Sequence, residues 1–204
     1  MMSSKFFALG AAGLMIIVVG GTVAWTFWRG GGVCGSDRQF VRTLPKGLLL
    51  TDINGTERPV FDQMQNPALV YFGYSFCPDV CPFDMARNDA VTDALEGRIT
   101  PVFVTVDPAR DTLAVLAEYA SFHHTDMIAL TGTDAQIKAA SDAFAVYYQP
   151  LGDDAEYYLM DHSTLTYLLL PSGEIVEFFY NDLTSDVIEQ KIACLLGHYQ
   201  QTGT

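Results

Sequence analysis

Residues 68–82, ALVYFGYSFCPDVCP, combine a strand pattern with a helix pattern and carry two cysteines. Its first half, Ala68–Ser75, is a short run of apolar and β-forming residues, which is typical of a strand buried on both faces. Its second half enters a helical pattern that extends from about Asp79 to Leu95. Because Cys77 and Cys81 lie at this junction, we expect a buried strand to place both of them at the N-terminus of a helix.

The alternation of strand and helix continues along the chain. The pattern predicts a strand at Thr100–Val106, a helix from Thr112 to about His123, a strand at Ile128–Thr131, and a helix that opens at Thr133 and runs to about Tyr147. This order of elements is typical of a parallel sheet with crossover helices.

The two ends of the domain show a different pattern. Leu48–Thr51 and Arg58–Phe61 read as short strands joined by an Asn-Gly turn. Leu165–Leu170 and Glu174–Tyr180 are separated by only a Pro-Ser-Gly connection, which is short enough only for an antiparallel hairpin, and a last helix opens at Thr184. The sequence therefore predicts an α/β fold of the thioredoxin type, a mixed sheet flanked by helices.

Charge excludes one broad class of function. The chain has 204 residues, with 11 Lys and Arg against 24 Asp and Glu, and a formal net charge of −13. A nucleic-acid-binding protein needs a surplus of basic residues to neutralise phosphates, so we expect no nucleic-acid partner.

The N-terminus carries a long apolar run. Phe6–Trp28 contains no charged residue and, as a helix, would reach roughly 35 Å, enough for a hydrocarbon core of about 30 Å. We expect an uncleaved membrane anchor at residues 1–29, a glycine-rich tether at 30–45 and one domain at 46–204. A cleaved signal peptide is the alternative, although its apolar run is normally shorter and ends in small residues rather than aromatic ones.

The cysteine spacing suits metal or redox chemistry. In a first helical turn, Cys77 and Cys81 would share a face with their Cβ atoms roughly 5 to 6 Å apart. Two thiolates at that distance can hold one soft metal ion or close into a disulfide. The helix N-terminus favours the thiolate form, and Pro78 fits the first helical position. A purely stabilising disulfide is less expected, because it would close a very short loop.

The flanking residues add a family resemblance. The segment YFGYSFCPDVCP resembles the signature of the Sco/SenC proteins, which are membrane-anchored, thioredoxin-fold, copper-binding proteins that help to assemble cytochrome c oxidase. Val106–Asp111 resembles the DPxRD motif of that family, and Asp161–Ser163 resembles its DHS or DHT segment. The single N-terminal span also matches.

The resemblance implies a site and a role. It implies that Cys77, Cys81 and His162 bind one copper ion, as Cu(I) or Cu(II), and that the chain is mainly a copper-binding and transfer protein. Implied partners are the copper-site subunit of cytochrome c oxidase, a copper donor and a thiol reductant. The resemblance also implies that the domain lies in the periplasm. We expect the bacterial inner membrane rather than the mitochondrial one, because no Arg- and Ser-rich amphipathic transit peptide precedes the span.

Other functions use the same cysteines. A thiol–disulfide oxidoreductase that reduces cysteines of the oxidase copper site, with Cys77 and Cys81 as its redox pair, is the alternative. A peroxiredoxin is disfavoured because Val70 and Tyr74 stand where its motif needs Pro and Thr. A thioredoxin is disfavoured because its cysteines are separated by two residues and not three.

Several further residues have weaker claims. Asp161 could orient His162, although a solvated loop carboxylate is an equal interpretation. Met160 is the methionine nearest to His162, but scattered methionines are typical core residues. The sequence does not decide whether the two cysteines outside the motif, Cys34 and Cys194, form a disulfide with each other. The other candidates are Asp107, Arg110 and Asp111, expected at the rim of the site without binding copper; His123 and His124, expected to complement a helix C-terminus; and Cys34 and Cys194, the remaining cysteines.

Overall fold

The computed structural model describes residues 33–35, 41–152 and 157–202. Residues Arg38–Thr204 form one compact unit, and Met1–Asp37 form another, of which only the 3-10 turn Val33–Gly35 is described. Within the described ranges, no helix is both long enough and apolar enough to cross a membrane. The predicted anchor, Phe6–Trp28, lies outside them.

The larger unit contains ten strands and four α-helices within the described residues. The strands are β1 Arg42–Thr43, β2 Leu50–Asp52, β3 Glu57–Arg58, β4 Ala68–Gly73, β5 Thr100–Thr105, β6 Ile128–Thr131, β7 Tyr148–Leu151, β8 Leu159–His162, β9 Thr166–Leu169 and β10 Glu174–Phe179. The helices are α1 Val80–Ala94, α2 Leu113–His123, α3 Asp134–Phe144 and α4 Ser185–Thr202, and a 3-10 turn spans Val60–Gln63.

One mixed sheet organises these elements. Its strand order is β1-β10-β9-β4-β5-β6-β2-β3, and β7 pairs with β8 in a separate two-stranded ribbon. Strands β4, β5 and β6 are parallel, whereas β9 runs antiparallel to β4 and β10 antiparallel to β9. The prediction of a mixed sheet flanked by helices is confirmed.

The central strand β4 is buried along its whole length because helices cover both of its faces. Tyr71 pairs in register with Phe103 of β5, whose ring contacts Tyr119 of α2 with ring centres 4.7 Å apart. On the opposite face, Phe72 packs against Phe144 of α3 at 5.1 Å. Successive strand residues point to opposite faces, so one apolar run serves two helical layers.

Near the N-terminal end of the domain, the hairpin is shorter than predicted. Strand β3 stops at Arg58, and a 3-10 turn comes next where the sequence analysis expected a strand to Phe61. Pro59 explains the difference, because it has no N–H to donate to a strand ladder. In addition, β1 pairs Arg42–Thr43 with β10, so these two residues, which fall in the range expected to form the tether, belong to the sheet.

A second difference concerns the end of α3. This helix ends at Phe144 rather than near Tyr147, because Ala145 adopts a left-handed conformation and the Val146 amide returns to the Ser141 carbonyl at 2.7 Å. The chain then enters the β7–β8 ribbon, which the sequence analysis did not predict.

Candidate metal centre

The carboxyl end of β4 delivers both cysteines. After Gly73 the chain turns, with the Cys77 amide donating to the Tyr74 carbonyl at 3.2 Å, and α1 begins at Val80. The expectation that both cysteines share the first helical turn, with Pro78 at the first helical position, is therefore wrong: Cys77 and Pro78 precede the helix, and Cys81 lies in its first turn. Cys77 is half-buried, whereas Cys81 is only 1% exposed, and both are free thiols.

The Cys77 sulfur caps the N-terminus of α1. Asp79 at the N-cap makes no side-chain capping hydrogen bond, and the Cys81 amide donates to the Cys77 sulfur at 3.4 Å. Such an amide is one of the unpaired donors of a helix N-terminus, and a thiolate is the better acceptor for it.

The two sulfurs titrate as a pair. Hydrogen bonding from Cys81 lowers the pKa of the Cys77 thiol. The same hydrogen bond, together with burial, raises the pKa of Cys81. The first thiolate therefore forms on Cys77, which faces the surface, and the shared proton stays on the buried Cys81 sulfur.

His162 completes the group from the separate β7–β8 ribbon. It ends β8, and its Nε2 atom lies 3.3 Å from the Cys81 sulfur. Its Nδ1 atom lies 3.0 Å from the Ser163 carbonyl oxygen, which can only accept, so Nδ1 carries the proton and Nε2 presents its lone pair. Asp161, which the sequence analysis considered for this orienting role, is exposed; the Ser163 backbone performs it.

The three side chains form a compact donor group. One ligand atom each from Cys77, Cys81 and His162 lies within 4.8 Å of the others. Two sulfurs and one imidazole nitrogen suit a soft metal ion, and three protein donors leave one side of a bound ion open to a partner. The arrangement is thus positioned to bind a metal, with Cys77 on its accessible side.

Two carboxylates of the DPARD segment brace this group. Asp111 accepts hydrogen bonds from the Ser75 amide at 3.1 Å and from the hydroxyls of Ser75 and Thr105. Burial raises the pKa of the Asp111 carboxyl. Its contacts fix the cysteine loop to the end of β5, while the Thr112 hydroxyl caps α2.

Arg110 connects the β7–β8 ribbon to the same loop. Its guanidinium lies 3.7 Å from the centre of the Tyr158 ring, donates to the Tyr158 carbonyl at 2.8 Å and pairs with Asp107. Asp107 also accepts the Tyr158 hydroxyl at 2.7 Å. Since Tyr158 directly precedes β8, these contacts hold the strand that ends at His162. The segment thus contacts both the cysteine loop and the strand of His162.

We expect Arg110→Met to loosen the ribbon. Removing a charged hydrogen bond and the cation–π contact should cost about 2 kcal/mol locally, which corresponds to at least tenfold faster amide exchange. Hydrogen exchange of the amides in β7 and β8 measures this. Arg98→Met is the matched control, because among the described residues the Arg98 side chain has the nearby Leu95 carbonyl as its hydrogen-bond partner. Unchanged exchange in β8 would contradict the bracing role.

A groove between α1 and α2 reaches the cysteines. It has a volume of about 690 Å³ and is lined by Cys77 and Cys81 at one end and by Tyr119 and Phe122 along its length. Phe76 and Phe122 at its rim are 53% and 81% exposed. This route leads from solvent to the half-buried thiol of Cys77.

The remaining candidates lie outside the donor group. His123 and His124 are at the end of α2, as predicted, where they pair with Asp89 at 2.8 Å and Asp93 at 3.4 Å. Met160 is 8% exposed and belongs to the hydrophobic core. Neither Cys34 nor Cys194 is a free thiol.

Comparison with known proteins gives the family. The family model described as SCO1/SenC matches residues 38–197. The chain belongs to the SCO1/SenC family. Protein SenC of Rhodobacter capsulatus is 39% identical over 217 residues, covering 98% of this chain and 95% of that protein. The mitochondrial SCO1 homolog of Homo sapiens is 32% identical over 158 residues, covering 74% of this chain and 52% of that protein.

Solved structures of SCO1/SenC proteins share the fold. The copper-bound crystal structure of Arabidopsis thaliana ScoI matches with a TM-score of 0.71 at 29% identity, covering 77% of this chain and 99% of that one. Copper-bound yeast Sco1 matches with a TM-score of 0.70 at 31% identity, covering 78% and 90%.

Proposed function

We propose that this chain is a membrane-anchored copper metallochaperone that binds one copper ion through Cys77, Cys81 and His162 and delivers it to cytochrome c oxidase during assembly. The observation that carries the proposal is the convergence of two thiols and one imidazole within 4.8 Å. Thiolates are preferred by Cu(I), while imidazole with thiolate also accommodates Cu(II), so the donor set suits either state.

The relatives support copper as the metal. The Arabidopsis thaliana and yeast proteins that share the fold at 29% and 31% identity were solved with copper bound. A further structural relative, BsSco, is a member of the Sco family of cytochrome c oxidase assembly proteins. The recipient that fits is therefore the copper-site subunit of the oxidase, supplied by a separate copper donor.

The proposed arrangement in the cell is inferred from the sequence. Residues 1–29 form the membrane anchor, the residues between it and β1 form the tether, and the copper-binding domain, which begins at β1, faces the periplasm from the bacterial inner membrane. The uncharged run Phe6–Trp28 supports the anchor. The similarity to SenC, a protein from a bacterium, extends over 98% of the chain and so includes this run.

A second candidate function is favoured by the asymmetry of the cysteines. Cys77 is half-buried, opens on the groove and has a lowered pKa, whereas Cys81 is buried. In a reductase, the Cys77 thiolate would attack a disulfide of the oxidase copper site and release one partner thiol. Cys81 would then displace the second partner thiol and leave a Cys77–Cys81 disulfide. An external thiol reductant would reduce this disulfide back to the two thiols.

His162→Ala separates the two functions. We expect the full chain, reduced and anaerobic, to bind one Cu(I), and this variant to bind it at least tenfold more weakly because one of three donors is lost. Competition with a Cu(I) chelator measures the affinity. The rate at which each protein reduces a synthetic peptide disulfide is measured in parallel. This rate should persist in His162→Ala, because disulfide reduction does not use the imidazole as a metal ligand.

The control is His124→Ala, since His124 pairs with Asp93 away from the donor group. If His162→Ala bound Cu(I) as tightly as the unaltered protein, the three-donor site would be wrong. If His162→Ala bound Cu(I) that tightly and still reduced the peptide disulfide, the reductase would become the better-supported function.

A further inference from the structure

A buried ion pair lies directly beneath the donor group. Asp84 is 3% exposed, and it comes three residues after Cys81 on α1, so both side chains lie on the same face of the helix. One Asp84 oxygen accepts the Tyr71 hydroxyl at 2.9 Å, and the other lies 3.2 Å from a guanidinium nitrogen of Arg87. Both oxygens thus have a partner.

Hydrogen bonds join the Asp84–Arg87 pair to β9, the strand that follows His162. Arg87 donates to the Thr166 hydroxyl at 3.1 Å and to the Tyr180 carbonyl at 3.2 Å. The Asn88 amide also donates to the Thr166 hydroxyl at 3.1 Å. Thr166 opens β9, four residues after His162, so the network joins the helix of Cys81 to the segment of His162.

Tyr71 connects this network to the ligands. Its ring stands edge-on to the His162 imidazole with centres 6.3 Å apart. A Cβ atom built on Gly73 would lie 2.9 Å from the Tyr71 ring and 3.2 Å from the Cys81 sulfur, so ring and sulfur flank the same point. Burial first, and then the charges of Cys81 and Asp84, raise the pKa of Tyr71. The Asp84 carboxylate and the Cys81 sulfur therefore both influence the Tyr71 hydroxyl electrostatically.

A buried ion pair needs a reason beyond stability. Removing a carboxylate and a guanidinium from water costs several kcal/mol, and apolar residues of similar volume are often as stable in such places. Here the carboxylate comes one helical turn after Cys81 and binds the hydroxyl of Tyr71, whose ring contacts His162, while the guanidinium extends to Thr166 and Tyr180. The pair consequently presents its negative end to a bound ion through a poorly screened interior.

We propose that Asp84 is a positioning residue whose buried carboxylate, paired with Arg87, biases the Cys77–Cys81–His162 site toward Cu(II) relative to Cu(I). The inference rests on the proposed function, because it assumes that copper occupies the site. A negative charge stabilises a dication more than a monocation at the same place, so the ratio of the two affinities is the quantity that Asp84 controls.

The test compares Asp84→Asn with the unaltered full chain. Asparagine keeps the shape and still accepts the Tyr71 hydroxyl, but it carries no charge. We expect Cu(I) affinity to stay within threefold and Cu(II) affinity to fall at least tenfold, with a shift of the sulfur-to-Cu(II) charge-transfer absorption. A tenfold change in the ratio corresponds to about 59 mV for a one-electron couple. Competition titrations with Cu(I) and Cu(II) chelators measure both.

Two further variants sharpen the comparison. Asp93→Asn is the matched control, because it removes a carboxylate from the exposed side of the same helix and should leave the ratio unchanged. Asp84→Glu should restore most of the ratio. If Asp84→Asn did not fold, Asp84→Leu/Arg87→Leu would replace it, since it removes both buried charges together, and it should shift the ratio in the same direction.

A purely structural network would give a different result. In Asp84→Asn it would lower the Cu(I) and Cu(II) affinities by the same factor, or lower neither. In both cases the ratio of the two affinities would be unchanged, and this result overturns the inference. Failure of the proposed function is distinguishable, because the unaltered protein would then bind neither form of copper tightly.

Discussion

Replacing Cys77 and Cys81 together by serine is expected to lower Cu(I) affinity by at least a thousandfold. Two of the three donors are lost, and a serine hydroxyl is a hard, neutral donor that Cu(I) does not favour. The fold should persist, because serine is only slightly smaller and the cysteines are free thiols that cross-link nothing. Chelator competition on the reduced, anaerobic chain measures the loss.

Thiol counting provides the control for this double variant. Neither Cys34 nor Cys194 is a free thiol, so in denaturant without a reductant the unaltered chain should show two titratable thiols and the double variant none. Circular dichroism establishes that the variant is folded. A folded double variant that still bound one Cu(I) with unaltered affinity would place the copper site elsewhere and refute the proposed ligand set.

Part of this site could be predicted from local sequence alone. The apolar run Ala68–Ser75 identifies a doubly buried strand, and the apolar spacing after Asp79 identifies the helix that begins at its end. The four-residue spacing of Cys77 and Cys81 indicates that their sulfurs lie close together, because a helical turn would make them neighbours. The structure brings them together differently, with Cys77 in the turn before α1 and Cys81 in its first turn.

His162 could not be placed in this way. It lies 81 residues after Cys81, and only the pairing of β9 beside β4 brings it to the same end of the sheet. Spacing carries no information about such a contact, so the prediction depended on the family resemblance of Asp161–Ser163. The structure brings His162 to Cys81 at 3.3 Å.

The β7–β8 ribbon was missed because its sequence gives a weak strand signal. Tyr148–Leu151 is mostly exposed and contains Pro150, which is rare in strands, so neither apolar alternation nor propensity marks it. The contacts of Tyr158 with Arg110 hold the ribbon instead. Such tertiary contacts override local preference and are invisible to a periodicity argument.

Asp84 was missed for a different reason. A carboxylate at this spacing from Cys81 reads as a solvated helix residue, and only its 3% exposure shows otherwise. Its spacing from Arg87 predicts an i,i+3 ion pair but not a buried one. The polar contacts behind the ligands therefore required the structure.

Gly73→Ala is expected to weaken both copper binding and the fold. A methyl group there would lie 2.9 Å from Tyr71, 3.1 Å from Phe103 and 3.2 Å from the Cys81 sulfur. The two rings are fully buried and cannot move into solvent, so the sulfur and the rings must shift together. Overpacking of this kind costs about 1–3 kcal/mol, and displacement of one ligand should lower Cu(I) affinity at least tenfold. Thermal unfolding and chelator competition measure the two effects.

Gly197→Ala is the matched control for this steric argument. Gly197 lies within α4, and no atom lies within 4 Å of its Cβ position, so the same substitution should leave Cu(I) affinity unchanged and raise helix stability by up to about 1 kcal/mol. The two glycines thus predict opposite changes in melting temperature from one added methyl group. If Gly73→Ala bound Cu(I) like the unaltered chain, the Cys81 sulfur would have to tolerate displacement, and the close packing of Gly73, Tyr71 and Cys81 would not set the geometry of the site.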